Sequence, residues 1–402
     1  MNGEVIVMTH AEQSQSPKLR VVADEAAQSL PAWTYSDPDF MELERRRVFL
    51  PAWHLVCHES DIPGIGDYST FALMGELAFV ARGKDGTIRA FHNVCRHRAA
   101  RLLDGEQGNC GRNIVCPYHA WTYQLDGRLS GVPYLEQYEN FDRANHGLVP
   151  IESASFAGFV FIRFERGGAP LADYMAPIAE ELGIYKTAEM KPLRKVGTRI
   201  REVNWKNGCD NYCDALHIPV AHWGLNGLIG PTYRLSIDRG AFKIFGDLET
   251  GRMPSKSNAA YCRTLPHVDH LPTERQRLWT YYKLWPNLMF DVYPDQVDFM
   301  QFIPLTATTS ILRECAYALP DDRREMKVAR YLNWRINRYV NREDKDLIER
   351  VQAGMGSSTF QTGPLGREEI LLRRFADQMR DAIPLARRRE KPARADMDAA
   401  LA

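Results

Sequence analysis

Phe91-His-Asn-Val-Cys95-Arg-His97-Arg98 and Val115-Cys116-Pro-Tyr-His119-Ala-Trp121-Thr-Tyr123 are the two runs that decide how this chain folds. Each is rich in β-forming residues and feeds a tight polar loop. Eighteen residues separate His97 from Cys116. Together the loops offer two thiols and two imidazoles, as Cys-x-His and Cys-x-x-His. Two kinds of metal site accept that set. A structural zinc ion takes two sulfurs and two nitrogens in a tetrahedron. A two-iron cluster takes them unequally, two thiolates on one iron and two neutral imidazoles on the other, which raises its potential above that of an all-cysteine cluster. Spacing alone leaves both open, and only the second implies electron transfer.

The rest of the composition narrows the setting. With 402 residues and 45% hydrophobic content the chain has material for two or three ordinary domains. Lysine plus arginine equals aspartate plus glutamate at 51 each. No global basic field therefore recruits nucleic acid or an anionic membrane, and a small substrate is the expectation. The eight cysteines lack the density and spacing of a secreted disulfide scaffold. The opening MNGEVIVMTHAEQSQSPK lacks the basic start and apolar core of a signal peptide, and no run approaches the roughly 18 apolar residues of a membrane span. A cytoplasmic protein, with neither nucleic acid nor membrane as partner, is predicted.

The fold class expected is α+β in three segments. Residues 1–45 read as a polar leader to Pro31 and then a helix, with Asp37-Pro-Asp39 as its cap and Phe40, Leu43, Val48 and Phe49 as its buried side. Residues 46–166 are short apolar alternations broken by Gly-Asp and Asp-Gly turns, an all-β domain whose exit strand is Phe156–Phe164. Gly167-Gly-Ala-Pro170 reads as a linker into 167–402. That segment begins with helical runs near 171–187 and a strand at 195–203. Four long alternating strands follow within 280–317, then helices at 322–353 and 367–382, so an antiparallel sheet packed with helices is predicted. No nucleotide-binding fingerprint is present: the glycines of 105–111 lie between the two ligand runs, and Gly354-Met-Gly follows a helix instead of a strand.

A second candidate site lies in Asn204-Trp-Lys-Asn-Gly-Cys-Asp-Asn-Tyr-Cys-Asp214-Ala-Leu-His217-Ile-Pro-Val-Ala-His222. Two histidines plus one carboxylate form the facial triad of non-haem Fe(II) oxygenases, which leaves coordination positions open. Residues five apart lie roughly 140° around an ideal helix, a poor chelate, so Pro219 is expected to end or kink the helix between His217 and His222. Cys209, Cys213 and His217 recur every four residues and form a competing zinc constellation, although a fourth ligand would be needed. For the carboxylate, Glu343, Asp344 and Asp346 compete. Helical spacing gives Asp346 arginines at four residues on either side, whereas Asp344 shares a stripe with Ile336, Val340, Leu347, Ile348 and Val351. A carboxylate in an apolar stripe is unfavourable unless paired or ligating, which points to Asp344.

Both motifs, in this order, resemble the alpha (terminal oxygenase) subunits of the Rieske non-haem iron, or aromatic-ring-hydroxylating, oxygenases. The resemblance extends to Arg98, Trp121 and Tyr123 beside the first motif. It also covers the order Asn-Trp-Lys, Asp-Asn-Tyr, Asp-x-x-His-x-x-x-x-His, and the Glu-Asp…Val-Gln-x-Gly pattern at 343–354. Ala99 departs from it, standing where the family usually has glycine.

The resemblance implies a Rieske [2Fe-2S] cluster on Cys95, His97, Cys116 and His119, and Fe(II) on His217, His222 and Asp344 in a helix-grip-like catalytic domain. Asp214 would be the bridge that carries the electron from His97 or His119 of a neighbouring subunit. It further implies a terminal oxygenase that uses O2 and electrons from a separate NAD(P)H-dependent reductase, with or without a ferredoxin, and a homotrimer. The expected reaction is mono- or dioxygenation of a small aromatic or carboxylate-bearing substrate in aromatic compound catabolism. The alternative is oxidative N-demethylation of a quaternary ammonium compound, whose demethylases match in length and in Asp-Asn-Tyr-x-Asp but have Cys-Tyr where Ala215-Leu216 stands here. Readings from other classes are a Rieske electron carrier and a zinc-stabilised binding module. Trp285, Phe290, Tyr293, Phe299 and Phe302 are candidates to line a pocket, with a buried core role the commoner fate of such residues.

Overall fold

In the computed structural model, which describes residues 5–7, 27–230, 233–251, 253 and 255–401, alternation and turn chemistry produce two compact units. Most of the expected leader, residues 1–4 and 8–26, lies outside the described residues.

The first unit is Leu50–Pro192. Its main sheet is antiparallel, in the order His54–His58, Phe159–Arg163, Pro150–Phe156, Ile88–His92, Glu76–Arg82, Asp67–Leu73 and Gln107–Asn109. A smaller sheet pairs Asn113–Val115 with Thr122–Gln124 and that strand with Leu129–Gly131. Phe79, Phe91, Ile114, Trp121 and Tyr123 meet in one core that includes Cys95 and Cys116. The cysteines are thus fixed by packing on the chain that leads into each loop.

The boundaries differ from those expected. Residues 167–192 belong to the first unit, and the segment ending at Phe49 belongs to the second. Gly167-Gly-Ala-Pro170 is no free linker, because the Arg163 guanidinium, 3% exposed, grips the carbonyls of Gly168 and Ala169 while pairing with Glu152. Trp53 Nε1 donates to the same Ala169 carbonyl. Further on, Thr187 donates to Ala157 O, and its own carbonyl meets His58 Nε2 at 3.1 Å. These buried polar contacts bind the helical runs Leu171–Met175 and Ala179–Ile184 to the β domain.

The second unit is built on an antiparallel sheet in the order Val5–Val7, Arg234–Asp238, Ala241–Asp247, Leu278–Leu284, Leu288–Val292, Val297–Thr306 and Thr309–Ala318. Gly197–Arg201 pairs with the last of these. The hairpin at 234–247 was not legible in the sequence. Its two-residue turn is Arg239-Gly240, both at positive φ (46° and 86°), and Arg-Gly lacks the Asn-Gly or Asp-Gly signal of such turns. Helices cover the sheet: Trp205–Cys213, Lys256–Thr264, Arg324–Met355 and Ile370–Ala382. Pro38–Glu44 is capped by the Asp37 carboxylate, which accepts from Phe40 N at 2.8 Å, and Phe40, Leu43, Val48 and Phe49 are buried.

The helix Trp205–Cys213 is pinned by a buried ion pair. Lys206 and Glu44 are both fully buried, and Lys206 Nζ also donates to Thr34 O at 3.0 Å while Trp205 Nε1 donates to Glu44 at 3.0 Å. Burial alone pushes Glu44 up and Lys206 down, and each partner's charge opposes that shift. Removing one charge of such a pair strands the other. Lys206→Met is expected to lower stability by about 3–5 kcal/mol in urea unfolding, and Glu44→Leu on that background to restore most of it.

Candidate metal centres

The two ligand loops of the first unit have one geometry. Cys95 N donates to Ala100 O and Cys116 N to Trp121 O, each at 2.8 Å, and each cysteine carbonyl accepts from the residue four further on at 3.1 Å. That residue is Ala99 in one loop and Ala120 in the other, at φ 56° and 54°. Left-handed backbone disfavours any residue with a Cβ, which accounts for glycine being usual at 99 and shows alanine accommodated at a modest local penalty.

The loops bring His97 and His119 together with ring centroids 4.6 Å apart. Nδ1 of each ring is buried without a hydrogen-bond partner. The thiols of Cys95 and Cys116 are buried and free. Buried polar atoms without partners are rare in folded proteins, so two orphaned imidazole nitrogens beside two thiols fit a metal cluster well. Trp121 stacks on His97 at 4.8 Å and 9° between planes. Tyr123 places its hydroxyl 3.3 Å from Cys95 Sγ and accepts from Arg96 N, a contact of the kind that tunes cluster potential.

The second centre forms where a helix of the second unit stops. Trp205–Cys213 ends before either histidine, Asp214 is extended at φ −89° and ψ 115°, and Pro219 sits in the first turn of a new short helix, Ile218–Ala221. The break therefore lies upstream of where it was expected, since a proline in the first helical turn lacks only an amide that has no helical partner anyway. His217 precedes that turn and His222 follows it.

The structure gathers His217, His222 and Asp344, whose ligand atoms all lie within 4.8 Å of one another. His222 Nε2 is 3.1 Å from His217 Nε2 and 2.8 Å from Asp344 Oδ1. The other ring nitrogens are held from behind: His217 Nδ1 by Asp214 at 3.2 Å and His222 Nδ1 by Glu343 at 2.8 Å. Asn211 Nδ2 donates to Asp344 Oδ1 at 2.7 Å. Burial pushes Asp344 up, but hydrogen bonds from both histidines and from Asn211 overrule it and bring the carboxyl down to about 2. Burial likewise pulls His217 down, and Asp214 and Asp344 reverse this to about 9. An anionic carboxylate and two imidazoles aimed at one point suit a divalent cation in place of those protons.

Two residues of this site were not identified from sequence as supports. Glu343 was weighed only as a rival ligand, and Asn211 was part of a motif without a role. Asp346 is exposed, as is Val351, which was expected in the apolar stripe. The zinc constellation of Cys209, Cys213 and His217 is not formed. Both thiols are buried inside the helix, burial pushes Cys209 up to about 12, and His217 lies beyond the helix end.

Two family models match the chain: the Rieske [2Fe-2S] domain over residues 52–142 and the ring hydroxylating alpha subunit (catalytic domain) over 182–385. The carnitine monooxygenase oxygenase subunit of Acinetobacter pittii is 30% identical over 344 residues, 82% of this chain and 87% of that protein. The chain belongs to the Rieske non-haem iron oxygenases. Its relatives include the glycine betaine monooxygenase oxygenase subunit of Chromohalobacter salexigens, 36% identical over 48% of this chain and 43% of that one. A solved quaternary ammonium Rieske monooxygenase superposes on the oxygenase with a TM-score of 0.76 at 26% identity, covering 89% of this chain and 95% of that chain. The oxygenase accordingly carries a Rieske [2Fe-2S] cluster and a mononuclear non-haem iron, and works with O2 and a separate reductase.

Residues that hold a metal ligand from behind typically influence affinity 10–100-fold. Glu343→Gln is expected to lower mononuclear iron affinity within that range while leaving the visible spectrum of the [2Fe-2S] cluster unchanged, as read by iron titration of the apo site.

Proposed function

We propose that the oxygenase hydroxylates a carbon bound to the nitrogen of a quaternary ammonium compound. The observation that carries this reading is its similarity to carnitine monooxygenase along most of both chains. The named substrates of the relatives, carnitine and glycine betaine, turn the expectation away from aromatic compound catabolism. Replacing C–H by C–OH next to a positive nitrogen gives a carbinolamine that collapses, with the C–N bond breaking to release a tertiary amine and a carbonyl compound. Each turnover consumes one O2, two electrons from the reductase and two protons, and releases one water.

Cys95, His97, Cys116 and His119 would hold the cluster, and His217, His222 and Asp344 the mononuclear iron. Bound there, these groups supply single electrons and the activation of dioxygen. The chain's own residues set the geometry. Asp214 and Glu343 fix the two imidazoles by Nδ1, so that both Nε2 atoms face Asp344, and Asn211 fixes the carboxylate.

Asp214 has a further role in this reading, as the bridge to His97 or His119 of a neighbouring copy. Its oxygens accept from Leu216 N and meet His217 Nδ1, while its side chain keeps 23% exposure. Around it Leu216, Val220 and Trp223 are exposed, Val220 at 88% and Trp223 at 65%. Large exposed apolar groups beside a functional residue suit a protein contact. Tyr118 and Val115 are exposed in the same way around the second ligand loop. The solved quaternary ammonium relative is one in which inter-subunit electron transfer is described. A homo-oligomer, a ring of three, follows from the reading. Among the described residues no helix is long and apolar enough to cross a membrane, and a cytoplasmic enzyme fits.

With a surrogate reductase, the oxygenase should release a tertiary amine and a carbonyl product from a quaternary ammonium substrate. With the mononuclear site filled by excess iron, since Asp214 also supports His217, Asp214→Ala should fail to pass an electron from reduced cluster to iron in a single turnover. Unimpaired transfer would remove Asp214 from the path.

A further inference from the structure

Strand register places a set of charged residues on one face of the catalytic sheet. Asp291 faces Asp298, Met300 faces Glu314, Glu314 faces Gly197, and Ser310, opposite Pro304, faces Arg201. By two-residue alternation Asp291, Asp298, Met300, Glu314, Arg199 and Arg201 share that face. A cavity of about 590 Å³ lies between it and the helix Arg324–Met355, with Asn337, Asn341 and Lys345 on the helix side. Asp344 continues the stripe of Asn337 and Asn341 at helical spacing, and Asn341 and Lys345, which line the cavity, flank it in the same turn. Tyr212 makes the same connection from the other helix. Its hydroxyl donates to Asp291 at 2.6 Å, while its neighbour Asn211 holds Asp344.

Two charged features of the cavity lack an ion pair among the described residues. Asp291 and Asp298 oppose one another without an ion pair among the described residues: Asp291 accepts from the hydroxyls of Tyr212 and Tyr293, Asp298 from the Gln296 amide. Burial and the nearby acid hold Asp298 well above the usual carboxylate range, and burial brings Asp291 to about 6. Phe299, Trp334 and Tyr339 are the aromatic residues of the cavity lining. At the other end, Arg201 lines the cavity at only 8% exposure; Glu314 and Glu349 lie near enough to offset its charge in part, but it forms no ion pair with either among the described residues. Arg199 is already paired with Glu314. Seven lysines and arginines, Arg194 near Asp298 among them, line the cavity against three acids, so the lining as a whole carries net positive charge.

We propose that this cavity is the substrate site and reads both ends of an extended zwitterion, the Asp291–Asp298 pair taking the quaternary ammonium and Arg201 the carboxylate. The inference rests on the quaternary ammonium reading above and adds the substrate class and the residues that recognise it. A quaternary ammonium has no N–H to donate, so charge and aromatic faces must bind it, and the cavity lining contains both. The register separates Asp298 from Arg201 by six residues, since Arg201 aligns with Pro304, or roughly 20 Å along the strands. Even with a long arginine reaching back, a ligand that touches both ends must be extended. Choline lacks the carboxylate, and glycine betaine has one carbon between its charges. γ-Butyrobetaine, with three, fits better.

Calorimetric titration of the oxidised, iron-loaded oxygenase tests this with γ-butyrobetaine, glycine betaine, choline and 5,5-dimethylhexanoate, in which carbon replaces the nitrogen of γ-butyrobetaine. The wild-type protein should bind γ-butyrobetaine at least about tenfold more tightly than each of the others. Asp298→Asn should weaken γ-butyrobetaine and choline but not the carbon analogue. Arg201→Gln should weaken γ-butyrobetaine and the carbon analogue but not choline. Wild-type protein that binds either choline or 5,5-dimethylhexanoate as tightly as γ-butyrobetaine overturns the proposal without need of a variant. Reductase-coupled turnover separates the two levels. Oxidation of choline or glycine betaine in preference to γ-butyrobetaine overturns the bipolar site and leaves the quaternary ammonium reading standing, whereas no oxidation of any of the three overturns that reading as well.

Discussion

The catalytic centre depends on how the helix Trp205–Cys213 is seated. Its first turn is tied to a segment far away in sequence by the buried Lys206–Glu44 pair, and the Asn204 amide and Asn207 side chain both donate to Gln352 Oε1 of the long helix. Near its end Asn211 holds Asp344. The two helices are thereby registered against each other by polar contacts with fixed geometry, which apolar packing alone would leave freer to slide. His217, His222 and Asp344 converge because that register is set, and the sheet behind them supplies the surface on which it is set.

Much of this was readable from residue types. Hydrophobic alternation located the four strands of 280–317, and the Asp37-Pro-Asp39 cap and its buried side matched the observed helix, because caps and alternation are local properties. The stripe argument separated Asp344 from Asp346, which differ in position by half a turn. Less local features escaped. The hairpin at 234–247 carries a turn dipeptide without the usual signal. The domain boundary at 166 rested on Gly-Gly-Ala-Pro as a linker, whereas Arg163 and Trp53 fasten its carbonyls. Pro219 was taken to end a helix when it begins one, since proline suits a first turn as well as it disrupts an interior. Glu343 and Asn211 act through other side chains, and no spacing rule exposes a contact that depends on two helices meeting.

The two metal centres use opposite means to the same end. In the β domain, two short loops of common backbone pattern leave two imidazole nitrogens without partners. In the catalytic unit each imidazole has one nitrogen occupied from behind by a carboxylate, which fixes the ring and raises its basicity. The first arrangement suits a cluster that only gains and loses electrons. The second leaves room on the open side for dioxygen and substrate. In the proposed reading neither centre is sufficient alone, and the exposed apolar groups around Asp214 and around Tyr118 suit a contact through which one copy would feed another.

That electrons cross between copies is tested most directly by complementation. His97→Ala, lacking a functional cluster, and Asp344→Ala, lacking the mononuclear iron, should each be inactive alone with the surrogate reductase. Co-expressed so that mixed oligomers form, they should recover oxygenation of the quaternary ammonium substrate, because a subunit with an intact cluster can reduce the intact iron of its neighbour. Mixed oligomers that contain both variants in confirmed proportion yet show no activity would contradict the account.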